Sequence, residues 1–496
     1  MTVEVLIDTE HDRGAVDPRL FGSFVEHMGR CVYTGIYEPG HPSADPDGFR
    51  GDVADLVREL GTTLVRYPGG NFVSGYQWED GIGPRADRPR RLDLAWRGIE
   101  TNQVGTDEFL GWARRQALVP MMAVNLGTRG IQAAADLVEY CNLPGGTHWS
   151  DLRRRNGHAD PHGVPLWCLG NEMDGPWQTG HMTSERYGDL AAQAGKAMKL
   201  VDPTIELVAC GSSSHTMPTF GYWEAEVLER AWDVVDYVSM HAYYEEYDGD
   251  RRSFLASGAA MDAFITGVTA TVDAVAARKH SSKRVGISFD EWNVWYLSRF
   301  AASGLPPIDE AGPRIEDTYS ALDAVVVGDL LISLLNHADR VRIACLAQLV
   351  NVIAPIRTEP GGPAWRQATF HPIAAVAATA RGRSLVTRVT APYMPTGRHG
   401  DVPAVAAAAT FDADTGRISV YLTNRTSEPA TVTIRCRGAE FATWSGRLLL
   451  ADDEGPRDRV AASTYGFTPL NVSTGPEANS VTVSMPAESW VALTAT

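Results

Sequence analysis

Apolar residues along this chain fall into two rhythms. The first is a set of short, almost continuously hydrophobic runs: "LFGSFVEH" near residue 20, "TTLVRYPG" near 63, "VPMMAVNLG" near 120, "PLWCLGNE" near 166, "ELVACG" near 207, "VDYVSMHAY" near 236, "RVGISFDEW" near 285 and "RIACLAQLV" near 343. Such runs suit strands buried on both faces. Between them lie longer stretches, among them "FRGDVADLVRELG", "TDEFLGWARRQAL", "SERYGDLAAQAGKAMKLVD" and "TYSALDAVVVGDLLISLLNHAD". Their apolar residues recur at helical spacing behind acids or hydroxyls suited to a helix start. Strand then helix, repeated eight times, predicts an α/β fold of the (β/α)8 barrel type rather than a doubly wound open sheet. The nucleotide-binding form of the open sheet also lacks its signature, since no GxGxxG follows the first strand and no GxxxxGK[ST] occurs.

From about Ser384 the period changes to two. "AVAAAATFDADTGRISVYLTNRT", "ATVTIRCRG", "WSGRLLLA" and "SVTVSMPAESWVALTAT" alternate apolar and polar residues between Gly, Asp, Pro and Asn, with "FDADTGRISV" as a hairpin. This predicts an all-β, antiparallel, jelly-roll-like sandwich over residues 384–496. The opening "TVEVLID" alternates in the same way. A lone strand is not stable, so residues 1–17 are expected to join that sandwich, leaving 18–383 to the barrel.

Composition changes the picture mainly by exclusion. Hydrophobic residues at 44% and charged residues at 21% are ordinary for a globular chain, and 496 residues suffice for more than one domain. A net charge of -17 without a basic patch argues against nucleic acid as a partner. The first residues carry no basic n-region or apolar core, and no run approaches the roughly 20 apolar residues of a membrane span. A cytoplasmic location without membrane contact is therefore expected. Six cysteines lie scattered without CxxC pairs and are expected to be reduced, structural thiols. No cofactor and no catalytic metal are expected: HExxH is absent, and His158 and His162 in "GHADPHG" read as solvated loop residues. "SADPDGFRG" reads as a turn before a helix rather than a calcium loop.

In a barrel the C-terminal strand ends and the loops after them form the active face. Polar residues there are Glu26 and His27, Arg66 and Asn71, Asn125, Asn171 and Glu172, Ser212 to His215, His241 and Tyr243, Glu291, and Gln348 and Asn351. "YPGGN" lacks the lysine of a phosphate loop and reads as a tight turn presenting Asn71. The glutamates of "CLGNEMDG" and "VGISFDEWNVW" end the fourth and seventh strands, which face one another across a barrel only wide enough for side chains. Either glutamate alone could cap a helix or meet an arginine. Together, beside Trp96, Trp177 and Trp295, they offer the paired carboxyl groups and aromatic faces that glycosidic cleavage needs.

The stretches "LFGSFVEHMGRCVYTGIYEPGHPSADPDGFRGDV", "LVRYPGGNFVSGYQWEDGIGP", "WCLGNEMDGPWQTGH" and "ISFDEWNVWY" closely resemble the intracellular alpha-L-arabinofuranosidases of glycoside hydrolase family 51. The resemblance implies an exo-acting, retaining hydrolase that removes terminal alpha-L-arabinofuranosyl residues from arabino-oligosaccharides or arabinoxylan fragments. It implies Glu172 as general acid/base and Glu291 as nucleophile. Glu26, Arg66, Asn71, Trp96, Asn171, Tyr243, Trp295 and Gln348 would bind the sugar, and a homo-oligomer, hexamer or trimer, is implied as well. The alternatives are another retaining glycosidase on the same barrel (beta-xylosidase, endoglucanase or galactofuranosidase) and a non-catalytic carbohydrate-binding protein.

Overall fold

Eight parallel strands close into a barrel in chain order: Gly22–Phe24, Leu64–Tyr67, Val119–Ala123, Leu166–Leu169, Glu206–Ala209, Tyr237–Tyr244, Gly286–Val294 and Val341–Leu346, with the eighth paired to the first. The structure is a computed structural model and describes residues 1–452, 454–475 and 479–496. Each apolar run noted above overlaps one of these strands. The intervening helices include Gly51–Leu60, Thr106–Arg115, Ser184–Val201 and Ala321–Asn336. Strand four, "LWCL", is buried at every position, because the barrel interior takes one face and the helical layer the other.

The helix Ala321–Asn336 shows why hydrophobic periodicity fades in places. Every residue from Ala321 to Leu335 is buried, since the helix lies between the barrel and the second domain and meets apolar surface all round. Its Gly328 lets the sheet come close: a Cβ there would sit 2.4 Å from the Trp490 ring. On the same helix Asp329 receives the Arg425 guanidinium at 2.9 Å, both side chains buried, which ties the two domains together.

That second domain is a ten-stranded sheet. Its spatial order is Thr468–Leu470, Trp444–Leu450, Ser489–Ala495, Arg417–Asn424, Val405–Asp412, Arg383–Thr390, Thr2–Ala15, Ala430–Arg437, Ser480–Met485 and Val472–Thr474. Apolar residues from both halves of the sheet, among them Val432, Ile434, Val491 and Leu493, share one core, so the sheet folds over on itself. The predicted hairpin joins Val405–Asp412 to Arg417–Asn424. Thr2–Ala15 takes a place in mid-sheet, antiparallel to Arg383–Thr390 but parallel to Ala430–Arg437. The expected antiparallel domain holds the N-terminal strand as predicted, with this one pair running parallel. No hairpin joins these two strands, and a strand arriving from a distant part of the chain is free to run either way.

A correction concerns apolar runs. The helix Ser257–Arg278 is long and apolar enough to cross a membrane by composition. In the fold it packs on Ala321–Asn336 and on Tyr222–Ala231, with Met261, Phe264, Ile265, Val268, Val272 and Val275 buried at helical spacing. All six cysteines are free and buried.

Candidate active site

The polypeptide leaves strand four through Gly170 at φ +92°, and two residues later Glu172 stands at φ +44°, in the left-handed region. For a residue with a side chain this costs on the order of 1–3 kcal/mol and is retained where the surroundings hold it. Here Glu172 Oε2 accepts a 2.6 Å hydrogen bond from Trp177 Nε1, and Oε1 lies 2.9 Å from His241 Nδ1. Trp177 is 52% exposed, so the carboxyl group sits under an indole that faces solvent.

Glu291 lies inside the extended seventh strand, Gly286–Val294, and is surrounded differently. Arg66 Nη1 donates to its Oε1 at 2.6 Å, and Tyr243 Oη donates to Oε2 at 2.8 Å. The other Arg66 nitrogen, Nη2, donates to Asn171 Oδ1 at 2.6 Å, which links the ends of strands two, four and seven. Buried cation and phenol donor together are the surroundings of a carboxylate anion. The backbone of Gly70 also presses on this residue, since a Cβ there would lie 2.9 Å from Glu291 Oε1. The Gly pair in "YPGGN" thus allows the turn to approach the carboxylate and to bring Asn71 to Asn171, whose Nδ2 donates to Asn71 Oδ1 at 3.3 Å.

One oxygen of Glu172 lies within 4.8 Å of one oxygen of Glu291, with His241 between them. His241 Nε2 is 3.1 Å from Asp290 Oδ1. Burial opposes a charge on this ring, but Glu291, Asp290 and Glu172 outweigh it and raise the His241 pKa to about 10. The ring of His241 thus stands between the two carboxyl groups, with Nδ1 2.9 Å from Glu172 Oε1 and 3.6 Å from Glu291 Oε2.

Glu26 forms a further wall. Its Oε1 accepts from Trp96 Nε1 and from the Phe72 backbone at 2.9 Å each, and Gln348 Nε2 donates to Oε2 at 3.2 Å. Burial pushes the Glu26 pKa up to about 8. Trp295 packs edge-on against Tyr243, with ring centroids 4.9 Å apart. Two polar atoms of this wall, Gln348 Oε1 and Trp295 Nε1, are buried without a hydrogen-bond partner in the chain. An acceptor and a donor left over in a polar hollow are what a polyhydroxylated ligand satisfies.

Not every polar strand end joins this group. Asn125 binds Tyr76 O and Thr128 Oγ1, Asn351 binds Arg30 O and Thr358 Oγ1, and His27 bridges Glu100 and Tyr67. These hold loops together. His215 packs against Phe264. Asp45 and Asp47 pair with Arg115, as suits a turn and not a calcium site. Sequence reasoning missed Asp290, which anchors His241, and Asp174, which accepts from Ser213 beside the strand-four end and is raised to about 6 by burial.

Models of the "Alpha-L-arabinofuranosidase 1 domain" and the "Alpha-L-arabinofuranosidase C-terminal domain" match residues 56–256 and 290–489. An intracellular exo-alpha-(1→5)-L-arabinofuranosidase 1 of Bacillus subtilis (strain 168) is 54% identical over 446 residues, covering 90% of this chain and 89% of its own. The solved structure of a family 51 alpha-L-arabinofuranosidase from Bifidobacterium longum superposes with a TM-score of 0.95 at 46% identity, covering 100% of this chain and 99% of its own. The chain belongs to the family 51 alpha-L-arabinofuranosidases. Members of this family differ in the linkage for which they are named. An exo-alpha-(1→6)-L-arabinofuranosidase of Bifidobacterium longum is 51% identical over 503 residues, 99% of this arabinofuranosidase and 96% of that one. The residues matched by the C-terminal model begin at Asp290, directly before Glu291.

Proposed function

We propose that this arabinofuranosidase releases terminal, non-reducing alpha-L-arabinofuranosyl residues from arabino-oligosaccharides or arabinoxylan fragments by double displacement with retention. The observation that carries the reading is the approach of the two carboxyl groups, within 4.8 Å of one another. Retaining glycosidases hold theirs about 5–5.5 Å apart, too close for a water on the far face of the sugar before the leaving group departs.

In this reading Glu291 attacks the anomeric carbon while Glu172 gives its proton to the departing oxygen. The products of the step are a glycosyl ester on Glu291 and a free alcohol. Glu172, now a carboxylate, then takes a proton from the incoming water, which cleaves the ester and returns both groups to their starting states. Arg66 and Tyr243 hold Glu291 in its attacking position by bonding both oxygens, 2.6 and 2.8 Å away. Trp177 and His241 each fix one oxygen of Glu172. Glu26, Asn71, Trp96, Asn171, Trp295 and Gln348 would receive the furanose ring and its hydroxyls, with Gln348 Oε1 and Trp295 Nε1 as the unused partners.

The relatives named intracellular favour a cytoplasmic reaction, fed by small oligosaccharides. A homo-oligomer, as family resemblance suggests, is checked by sedimentation. The decisive experiment follows hydrolysis of an aryl alpha-L-arabinofuranoside by NMR and compares it with linked arabino-oligosaccharides, a beta-D-xyloside and cello-oligosaccharides. The alpha-L-furanoside should be preferred and the first-formed arabinose should keep its anomeric configuration; inversion, or preference for the xyloside or glucan, defeats the proposal.

A further inference from the structure

Outside the sugar site, two segments bring metal-binding side chains together. Asp107 lies in the first turn of the helix Thr106–Arg115, which follows strand two, while His158 and His162 lie in "GHADPHG", between the helix His148–Arg155 and strand four. One ligand atom of each lies within 4.8 Å of the other two. His162 Nε2 is 2.8 Å from Asp107 Oδ1, and His158 Nε2 is 3.7 Å from Asp107 Oδ2. The Asp107 and His162 side chains are 4% and 3% exposed, against 38% for His158. The expectation that both histidines are solvated fails at His162.

We propose that Asp107, His158 and His162 form a binding site for a divalent transition-metal ion of the zinc class, separate from the catalytic centre.

Two imidazoles and one carboxylate make a donor set of borderline softness, suited to zinc, cobalt or nickel and poorly suited to magnesium or calcium. Bonds of about 2.0–2.1 Å in a tetrahedral centre place neighbouring donor atoms roughly 3.3 Å apart. His162 lies 2.8 Å from Asp107 Oδ1 and His158 lies 3.7 Å from Oδ2, so metal entry requires the carboxylate to turn one oxygen between the rings or to offer both, with the His162 contact opening slightly. The exposed side of His158 leaves a face for a fourth ligand from solvent.

The surroundings hold the donors in place. Tyr140 Oη donates to Asp107 Oδ2 at 2.7 Å and itself accepts from Asn156 Nδ2 at 3.1 Å, the kind of outer contact that fixes a ligating carboxylate. Arg153, wholly buried, donates to the backbone carbonyls of Tyr140, Leu143, Pro144, His158 and Ala159, which pins the histidine loop before any ion arrives. The charges of Arg153 and Arg114 nearby work against a cation and are set against the single negative charge of Asp107, which limits the affinity. No side chain of this trio bonds to Glu172 or Glu291 among the described residues. The ion would staple the helix after strand two to the segment that enters strand four, and its effect would be on stability.

The test uses the full chain without a histidine tag, stripped with a chelator. Cobalt(II) should give the visible absorption of a four-coordinate nitrogen and oxygen site at one equivalent per chain. Zinc should displace it and raise the melting temperature in proportion to the logarithm of its concentration. In His158→Ala both responses should weaken by at least about tenfold, while melting without metal and arabinofuranoside hydrolysis stay at wild-type values, because the ring of His158 is the exposed member. Asp107→Asn should weaken them likewise. A wild type with no cobalt absorption and no zinc-dependent melting up to millimolar metal overturns the proposal. So does binding that survives His158→Ala but is lost in Glu291→Gln, since the metal is then held at the catalytic carboxylates.

Discussion

At the end of strand four the carboxyl group stands in a left-handed turn beneath a half-exposed indole; at the end of strand seven it stands within an extended strand, between a buried guanidinium and a phenol. The first environment opens toward solvent and toward a leaving group. The second is closed, and a buried guanidinium and a phenol hold both of its oxygens. Two glutamates of the same chemistry thus stand in different surroundings, which the proposed mechanism reads as different work, and the difference can be attacked one donor at a time.

The heaviest blow falls on the closed side. Glu291→Ala should reduce kcat/KM by at least about 10⁴-fold on every substrate, because it removes the carboxylate that forms the ester in the proposed mechanism. Steady-state rates on aryl and natural substrates check this, and a variant retaining a tenth of the activity contradicts the assignment. On the open side Glu172→Ala should cost about 10²–10⁴-fold on oligosaccharides, where the departing alkoxide needs a proton, and much less for the first step on activated aryl glycosides. Equal losses on the two substrate types would show that the two ends do not differ in role.

Smaller changes sharpen the contrast. Trp177→Phe removes the N–H that holds Glu172 Oε2 while keeping an aromatic face, and should lower kcat by about tenfold, the value of one hydrogen bond to a charged group, with a smaller loss of ester formation on activated aryl glycosides than on oligosaccharides. His241 joins the two sides and is read through pH. Its pKa is raised from 6.5 to about 10 in the fold, so the stability it contributes is complete below about 6.5 and is lost as the pH rises through about 10. The melting advantage of the wild type over His241→Asn should therefore shrink steadily between pH 7 and 10. An advantage that grows with pH would mean that the ring is neutral.

Much of this architecture was legible in the chain because barrel strands are continuous apolar runs and the helices between them keep their period. Less legible were features that depend on register. Asp290 and Glu291 are neighbours, and in a regular strand they would point to opposite faces. Pairing with strand six slips between Ser288 and Glu291, and with strand eight between Phe289 and Trp292, so both acids reach the same interior. No residue type announces such a slip, and Asp290 passed unnoticed for that reason. His162 was misjudged for a related cause: a Gly- and Pro-flanked loop suggests solvent, but nothing local reveals that Arg153 gathers its carbonyls and presses it on a helix. The parallel pair in the second domain likewise joins strands far apart in the chain and is announced by no pattern within either.

That placement of Thr2–Ala15 has a consequence for biosynthesis. Thr2–Ala15 finds its neighbours only when residues 383–390 and 430–437 have been translated, after every barrel strand that lies between them in the chain. Its amino terminus is then tethered, with the Met1 amine donating to Pro429 O at 2.8 Å. This strand waits unpaired while the whole barrel is made, and the segments that fasten it lie on the far side of the barrel in the chain.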